Sequence, residues 1–452
     1  MAGCAFLPSS LHAQTDESAA LATIRDTYNL PGLSVLVLKK GRIIAQGAAG
    51  VRRIGSPSPL LVDDRLNFAS CTKFMTSTIA ARLIDRGQLQ WTTRIREVFP
   101  DKVASYNAAL QDITLDEFLG HRSGVQEQVT FDTRHWADFQ SVSGSMTELR
   151  AWVCDQVLKD PPDVPRGTYL YANQGYAVAA AMMEKITGKS WEQLIDEEIF
   201  KPLRLGSATL GISYNDDANP SGPVGHDLAT GATAAVPRPA LTGSQFVHYQ
   251  ASDGPGGYLM CTLADYAKFL NEYVGGDSST NTYIKNGTRE HLLSPWIGSS
   301  GYARGVAIAN TSWSTPGPAL NHTGDIFGED TVFWAAPGRD LAIVVFTNCR
   351  SEDDRTEAGL GTVASQMVDR YASAAPAGPY LESPFIQESA KTGSTFSFTA
   401  ATLPAVSYQL QRSPDLINWT DSGSVLDALN WQSVFQVTTS APQEFFRVRT
   451  AP

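Results

Sequence analysis

Two pairs of apolar runs, far apart in the chain, constrain its folding more than any other feature. The first pair lies in LSVLVLKKGRIIAQGAAG (33–50), where Lys40-Gly41 interrupts stretches rich in Leu, Val and Ile. The second lies in EDTVFWAAPGRDLAIVVFT (329–347) and is split by Pro337-Gly338. Runs of this kind around a Gly-containing turn predict β-hairpins. Between them the apolar period changes. Met75, Ile79 and Leu83 recur at helical spacing and Gly87 follows, which predicts a helix over 70–86. Further helices are expected over 174–187, closed by Gly188, and over 263–274. Residues 100–240 read as mostly helical with Pro/Gly-rich connections. Helices over 17–28 and 355–373 flank the two hairpins. The expected fold class is α+β: one sheet built from both hairpins, terminal helices covering it, and an all-helical lobe inserted between them.

The helical period disappears after AAPAGP (374–379). Beyond it Phe396 and Phe398, Tyr408 and Leu410, Phe435 and Val437, and Phe446 and Val448 each alternate at period two. This predicts a small all-β module over 376–452, with Trp419 read as a core residue. Residues 17–375 form the main domain. Residues 1–16 read as a residual leader, because MAGCAFLPSSLHAQ carries a short apolar patch and a Leu-His-Ala cleavage signal near Ala13. Met1-Ala2-Gly3-Cys4 resembles a lipoprotein box, but no apolar segment precedes it, so lipidation at Cys4 is disfavoured. Export to the periplasm or the cell exterior is the expected location.

A formal net charge of -11 leaves no basic surplus to neutralise phosphates, which argues against a nucleic-acid partner. No apolar run approaches the roughly 20 residues a transmembrane helix needs. The cysteines outside the leader, Cys71, Cys154, Cys261 and Cys349, lack metal-ligand spacing and read as buried free thiols. His121, His135, His226, His248 and His291 show no metal spacing either, and His121 reads as structural. No metal or cofactor is expected, and nothing in the pattern assigns an oligomeric state.

Chemistry concentrates in three short motifs. Ser70-Cys71-Thr72-Lys73 opens the 70–86 helix, so Ser70 and Lys73 share one face. A serine hydroxyl needs a neighbouring base, and a lysine held out of water loses proton affinity enough to serve. The helix N-terminus offers N–H groups to a developing oxyanion. Tyr171-Ala172-Asn173 supplies a phenol able to pass a proton to a leaving group, and an amide able to hold the lysine and a substrate carbonyl. Taken alone, that motif reads rather as a core tyrosine and a helix cap. His322-Thr323-Gly324, placed just before the second strand pair, offers side chains for a substrate carbonyl or carboxylate. Gly324 would let a substrate's backbone approach closely, and the Asp325 N–H would be a second oxyanion donor.

In this order the three motifs resemble the S-x-x-K, Y-x-N and K/H-x-G elements of the serine β-lactamase, penicillin-binding protein and family VIII esterase superfamily. ITLDEFLGHRSGV (113–125), the stretch from Tyr171 to Gly211, and GPGGYLMCTLADYAKFL (254–270) agree with it. The resemblance covers roughly 17–373. It implies a β-lactamase/transpeptidase-like sheet flanked by helices, with the site between sheet and helical lobe. It also implies that Ser70, Lys73 and Tyr171 are catalytic and that Asn173, His322, Thr323, Gly324 and Asp325 bind substrate. Lys73 with Tyr171 would take the Ser70 proton, and water would hydrolyse the acyl-enzyme.

His322 stands where β-lactamases usually carry Lys, and a mostly neutral histidine anchors an anion less firmly. No Glu can be assigned as a class A deacylation base, and no Gly-x-Ser-x-Gly marks an α/β-hydrolase. The substrate expectation is therefore a small-molecule ester or amide, or a cell-wall peptide as in D-alanyl-D-alanine carboxypeptidases. A β-lactamase comes third. A non-catalytic wall-binding protein of the same fold is the alternative of another class. The last module resembles short β-sandwich modules at the ends of exported bacterial proteins.

Overall fold

The structure is a computed structural model that describes residues 14–126, 135–212, 220–239, 245–275, 283–296, 301–374, 385–392, 394–402, 407–415, 418–428, 432–439 and 444–451. The first hairpin joins β2 (Gly32–Lys39) to β3 (Arg42–Gly50), and a short β1 (Thr15–Asp16) runs parallel to β3. Lys40 and Gly41 both take positive φ, 49° and 69°, the left-handed pair a two-residue turn needs to follow strand twist. The other arm has four strands: β4 (Ala307–Ala309), β5 (Ala319–Ile326), β6 (Glu329–Ala336) and β7 (Leu341–Thr347). All seven form one sheet in the order β1-β3-β2-β7-β6-β5-β4. The antiparallel pairing of β2 with β7, Leu33 opposite Thr347, unites the two ends of the domain at the sheet centre.

Every residue of β2 and of β7 is buried, as expected of central strands covered on both faces. The period-two alternation divides their side chains between two cores. Leu33, Val35, Val37, Ile343 and Val345 face α1 (Ser18–Tyr28) and the long closing helix, Arg355–Tyr371. Leu36, Leu38, Val344 and Phe346 face the opposite core with Phe74 and Phe269. That side holds α2 (Thr72–Asp85), α3 (Met146–Lys159), α4 (Asn173–Thr187), α5 (Gln245–Gly257) and α6 (Leu263–Val274). The closing helix is α7. Buried Arg150 of α3 pairs with Glu184 of α4 and donates to the Ala251 carbonyl of α5 (3.1 Å), so one guanidinium ties three helices of the lobe together.

Several expectations are corrected in detail. Thr15 and Asp16, counted with the leader, pair with Ala45 and Gln46 in the sheet. Residues 100–240 are less helical than expected. The proline-rich run KDPPDVPRG (159–167) breaks the helical path, and His226–Leu228 pairs with Val236–Pro237 as short strands. The helix expected from Ser70 begins at Thr72, after a 3₁₀ turn over Ala69–Cys71. His322-Thr323-Gly324 does not precede the strands but lies inside β5, whose polar run Asn321–Asp325 conceals a strand from pattern reading.

Beyond residue 384 the described segments are strands in separate small sheets. Thr395–Ala401 pairs with Phe385–Thr392 and Gln432–Thr438, and Ser407–Ser413 pairs with Phe445–Thr450. Phe398, Tyr408, Leu410, Phe435, Val437 and Phe446 are buried. Trp419 is half-buried under the Arg447 guanidinium, 4.2 Å from its ring centroid. Among the described residues no helix is long and apolar enough to cross a membrane. Cys71, Cys154, Cys261 and Cys349 are buried and unpaired, whereas Cys4 and Ala13 lie outside the described residues.

Candidate active site

Ser70 sits half-buried at the top of its 3₁₀ turn, between buried Ala69 and Cys71. Ala69 takes φ +41°, an uncommon conformation for a residue with a Cβ, so the surroundings must hold the turn in place. They do so through a chain of hydrogen bonds. The Ala69 N–H donates to Asn67 Oδ1 (2.7 Å), and the Asn67 carbonyl accepts from Thr331 Oγ1 of β6 (2.9 Å). Thr72 Oγ1 donates to the Ala69 carbonyl (2.6 Å) and accepts from the Leu259 N–H (3.1 Å).

Lys73 follows one helical turn later and is fully buried. Its Nζ donates to Ser70 Oγ at 3.0 Å and to the Gly256 carbonyl at 2.7 Å. That carbonyl belongs to the last turn of α5, where main-chain acceptors have no partner within the helix. Left unpaired and buried it would cost about 1–3 kcal/mol. A Cβ at Gly256 would stand 3.2 Å from Lys73 Nζ and 3.6 Å from Asn173 Oδ1, so a larger residue here would crowd the lysine amine. Burial pushes the Lys73 amine down to about 7, against opposing pulls from Asp253 and Cys71. A substantial fraction is therefore the neutral base at neutral pH, within reach of the serine proton.

Tyr171 is hydrogen-bonded to Ser70, and Lys73 Nζ lies 4.8 Å from its ring centroid. Burial raises the Tyr171 phenol above its usual range, so the hydroxyl keeps its proton. Near neutral pH the Lys73 amine is thus partly unprotonated while the Tyr171 phenol keeps its proton. Asn173 is the first residue of α4, capped by an extended Ala172. The Ala172 N–H donates to His121 Nδ1 (3.1 Å), so His121, read as structural, pins the main chain beside Tyr171. Its ring packs 4.3 Å from that of Tyr171 and 4.9 Å from that of Tyr302.

The β5 side completes the site. His322 Nδ1 lies 2.5 Å from the Thr323 carbonyl, which only accepts, so Nδ1 carries the hydrogen. Nε2 then accepts from the Tyr302 hydroxyl at 3.0 Å. Burial, with Lys73 nearby, lowers His322 to about 4. Both ring nitrogens are engaged and the ring is neutral at pH 7, so it offers no cation to a substrate carboxylate. Thr323 and Asp325 point outward, and the Asp325 carboxylate pairs with Arg350. The clearance at Gly324 serves the chain itself rather than a substrate, because a Cβ there would fall 2.3 Å from the Phe68 carbonyl oxygen. This glycine lets β5 press against the turn that carries Ser70. Strand β4 pairs only with Ala319–Asn321, so among the described residues His322–Ile326 has no strand partner on that edge.

The structure thus brings together Ser70 from the 3₁₀ turn, Lys73 from α2, Tyr171 and Asn173 from the start of α4 and the segment before it, and His322 and Gly324 from β5, with Thr323 and Asp325 on the outer face of the same strand. Sequence reading missed Tyr302, Asp253 and Gly256. The glycine-rich GPGG (254–257) was the available signal for the last two, since glycines mark close approach of main chain. His135, His226, His248 and His291 each bond to a main-chain group or a carboxylate of the protein. Among the described residues no His, Cys, Asp and Glu side chains cluster as metal ligands.

Comparisons with known proteins identify the family and the fold. The profile of the Beta-lactamase family matches residues 18–366. Penicillin-binding protein 4 of Amycolatopsis lactamdurans is 24% identical over 340 residues, 72% of this chain and 82% of that protein. Protein flp of Staphylococcus aureus (strain MRSA252) is 21% identical over 331 residues, 72% of this chain but only 60% of flp, so less than two thirds of that relative is spanned. The solved structure of D-amino acid amidase from Ochrobactrum anthropi SV3, complexed with L-phenylalanine amide, shares the fold with a TM-score of 0.60. Its sequence identity is 17%, covering 79% of this chain and 99% of the amidase. With most of its length matched by one family, the chain belongs to the Beta-lactamase family, in the serine-hydrolase superfamily of β-lactamases and penicillin-binding proteins.

Proposed function

We propose that the protein hydrolyses a small ester or amide through an acyl-enzyme on Ser70, by esterase or D,D-peptidase-like chemistry. The observation that carries this reading is the 3.0 Å contact of a buried lysine amine, lowered to about 7, with the Ser70 hydroxyl. Neutral Lys73 takes the Ser70 proton as Oγ attacks the carbonyl. The N–H groups of Ser70 and Asp325 face the oxyanion, Tyr171 protonates the leaving group, and Asn173 orients the carbonyl. Water then cleaves the ester bond to Ser70 and regenerates the hydroxyl.

A neutral His322 favours substrates without a carboxylate at that position and weighs against an efficient β-lactamase. The unpaired stretch of β5 favours an acyl group with an amide that can pair along a strand edge, as in a peptide. A fold neighbour, D-amino acid amidase, has been solved in complex with an amino acid amide, L-phenylalanine amide. We read residues 17–375 as the catalytic domain and 376–452 as a separate module. We also read the protein as exported, acting in the periplasm or outside the cell.

Intact mass spectrometry after exposure to an activated ester or a penicillin tests the reading. A covalent adduct mapped to Ser70, absent in Ser70→Ala together with turnover, is expected. Full activity in Ser70→Ala would overturn it. Hydrolysis of a p-nitrophenyl ester compared with a D-alanyl-D-alanine peptide separates the two substrate classes.

A further inference from the structure

The cleft beside Ser70 has two walls, and both lead to one aromatic contact. On the sheet side, Gly324 lies against the turn that carries Ser70, where a Cβ on it would stand 3.1 Å from that of Ala69. From Gly324 the chain runs three residues to Phe327, about 10 Å at the rise of a strand. Strand β4 pairs with β5 at Ala319–Asn321, so among the described residues the unpaired stretch of β5 leads only toward Phe327. On the lobe side, the Gly256 carbonyl holds Lys73 Nζ (2.7 Å). Tyr249 precedes Gly256 on α5 by seven residues, two helical turns, and so shares its face about 10 Å away. The Tyr249 and Phe327 rings meet edge to face, centroids 6.4 Å apart. Trp136, from the short helix Trp136–Gln140, stacks on Tyr249 at 4.4 Å. All three residues are half-buried.

Phe327 holds this place against its backbone preference. With Gly328 it forms the two-residue turn between β5 and β6, at φ 49° and 78°. Such a turn favours Asn, Asp or Gly at its first position, and a bulky side chain is strained there. The His226 N–H fixes the turn by donating to the Gly328 carbonyl (3.0 Å). Strain kept at one residue near a reactive serine points to a use for its side chain.

We infer that Phe327 and Tyr249 form an aromatic stop that closes the acyl end of the cleft and limits the substrate to acyl groups about 10 Å long. This rests on the reading of Ser70 as nucleophile and of β5 as the edge along which the acyl group lies. The substrate is then a short-chain ester or amide, or a peptide cut within about three residues of its amino end. Long-chain esters and the interior of a polymer are excluded by length. Trp136 backs Tyr249 and keeps its ring across the cleft.

Hydrolysis of p-nitrophenyl butyrate and p-nitrophenyl laurate by the full-length protein tests this, since the butyryl chain ends before the stop and the lauroyl chain overruns it. Wild type should favour butyrate in kcat/KM by about tenfold or more, the discrimination a shaped apolar pocket can exert. Phe327→Asn, matched to the turn, should cut that preference about tenfold without lowering the melting temperature. Tyr249→Ala should relax the preference in the same direction from the other wall. Rings with a merely structural role would leave the ratio of the two esters unmoved. An unmoved ratio in these variants, while a fluorophosphonate still labels Ser70, overturns the inference and leaves the serine-hydrolase reading standing. Wild-type protein as fast on laurate as on butyrate overturns it too. If one variant does not fold, the other decides from the opposite wall. Wild-type protein that forms no Ser70 adduct overturns both readings.

Discussion

The two walls of the site each bury a nitrogen base and leave the two in different protonation states at neutral pH. On the α2 side, Lys73 faces a carbonyl, a hydroxyl and the Asp253 carboxylate, all of which favour the charged form and offset part of the burial. Its proton affinity settles at about 7, where it can change hands. On the β5 side, His322 faces one carbonyl and one donating hydroxyl, a pair that suits the neutral ring alone. It settles at about 4 and remains fixed. Burial lowers both, so their different ordinary values, 10.5 for the amine and 6.5 for the imidazole, decide which of the two titrates in the working range.

The comparison can be broken outright at Lys73. Lys73→Ala should lower kcat/KM for an activated ester by about 10³-fold or more, the size of a lost general base. A rate within tenfold of wild type would show that the α2 wall does not supply the base. Tyr302→Phe sharpens the other side. Without the phenolic donor, nothing holds Nε2 of His322 in its accepting form, and the ring gains proton affinity. A new titration should then appear in the pH profile on the acid side of neutrality, with less than about a tenfold change in kcat for a neutral ester at pH 7. An unchanged profile would mean that Tyr302 does not set the His322 state.

The smallest effect concerns stability rather than rate. Asp330, on β6 opposite Asp325, is buried and pushed up to about 8 by desolvation and by Glu357. An acid whose folded pKa exceeds its unfolded value of 3.8 favours the folded state less and less as pH rises between the two. Asp330→Asn should therefore raise the melting temperature at pH 8 more than at pH 5. An equal change at both pH values would show that this carboxyl is not held neutral.

Much of this site was legible because its parts are tied to local pattern. The apolar hairpins fixed the sheet, the helical period placed Ser70 and Lys73 on one face, and Tyr171 and Asn173 sit at a helix start. What stayed hidden depends on contacts across the chain. Gly324 makes room for main chain distant in sequence, so its clearance has no local signature. Tyr302 reaches His322 from the loop before β4, outside any periodic segment. The 3₁₀ turn at Ser70 arises from the Asn67 and Thr331 bonds, which a helical pattern running into the turn conceals.

The pairing of β2 with β7 has a kinetic consequence. Thr347 Oγ1 donates to the Gly32 carbonyl across a sequence separation of 315 residues. Contacts of such sequence separation slow folding, because a long loop must close before they reward it. During synthesis the Gly32–Lys39 strand leaves the ribosome long before its partner exists. It must wait with an apolar edge unpaired, a state that invites aggregation or chaperone capture. The centre of the sheet that holds the site in place thus forms only after nearly all of the domain has been made.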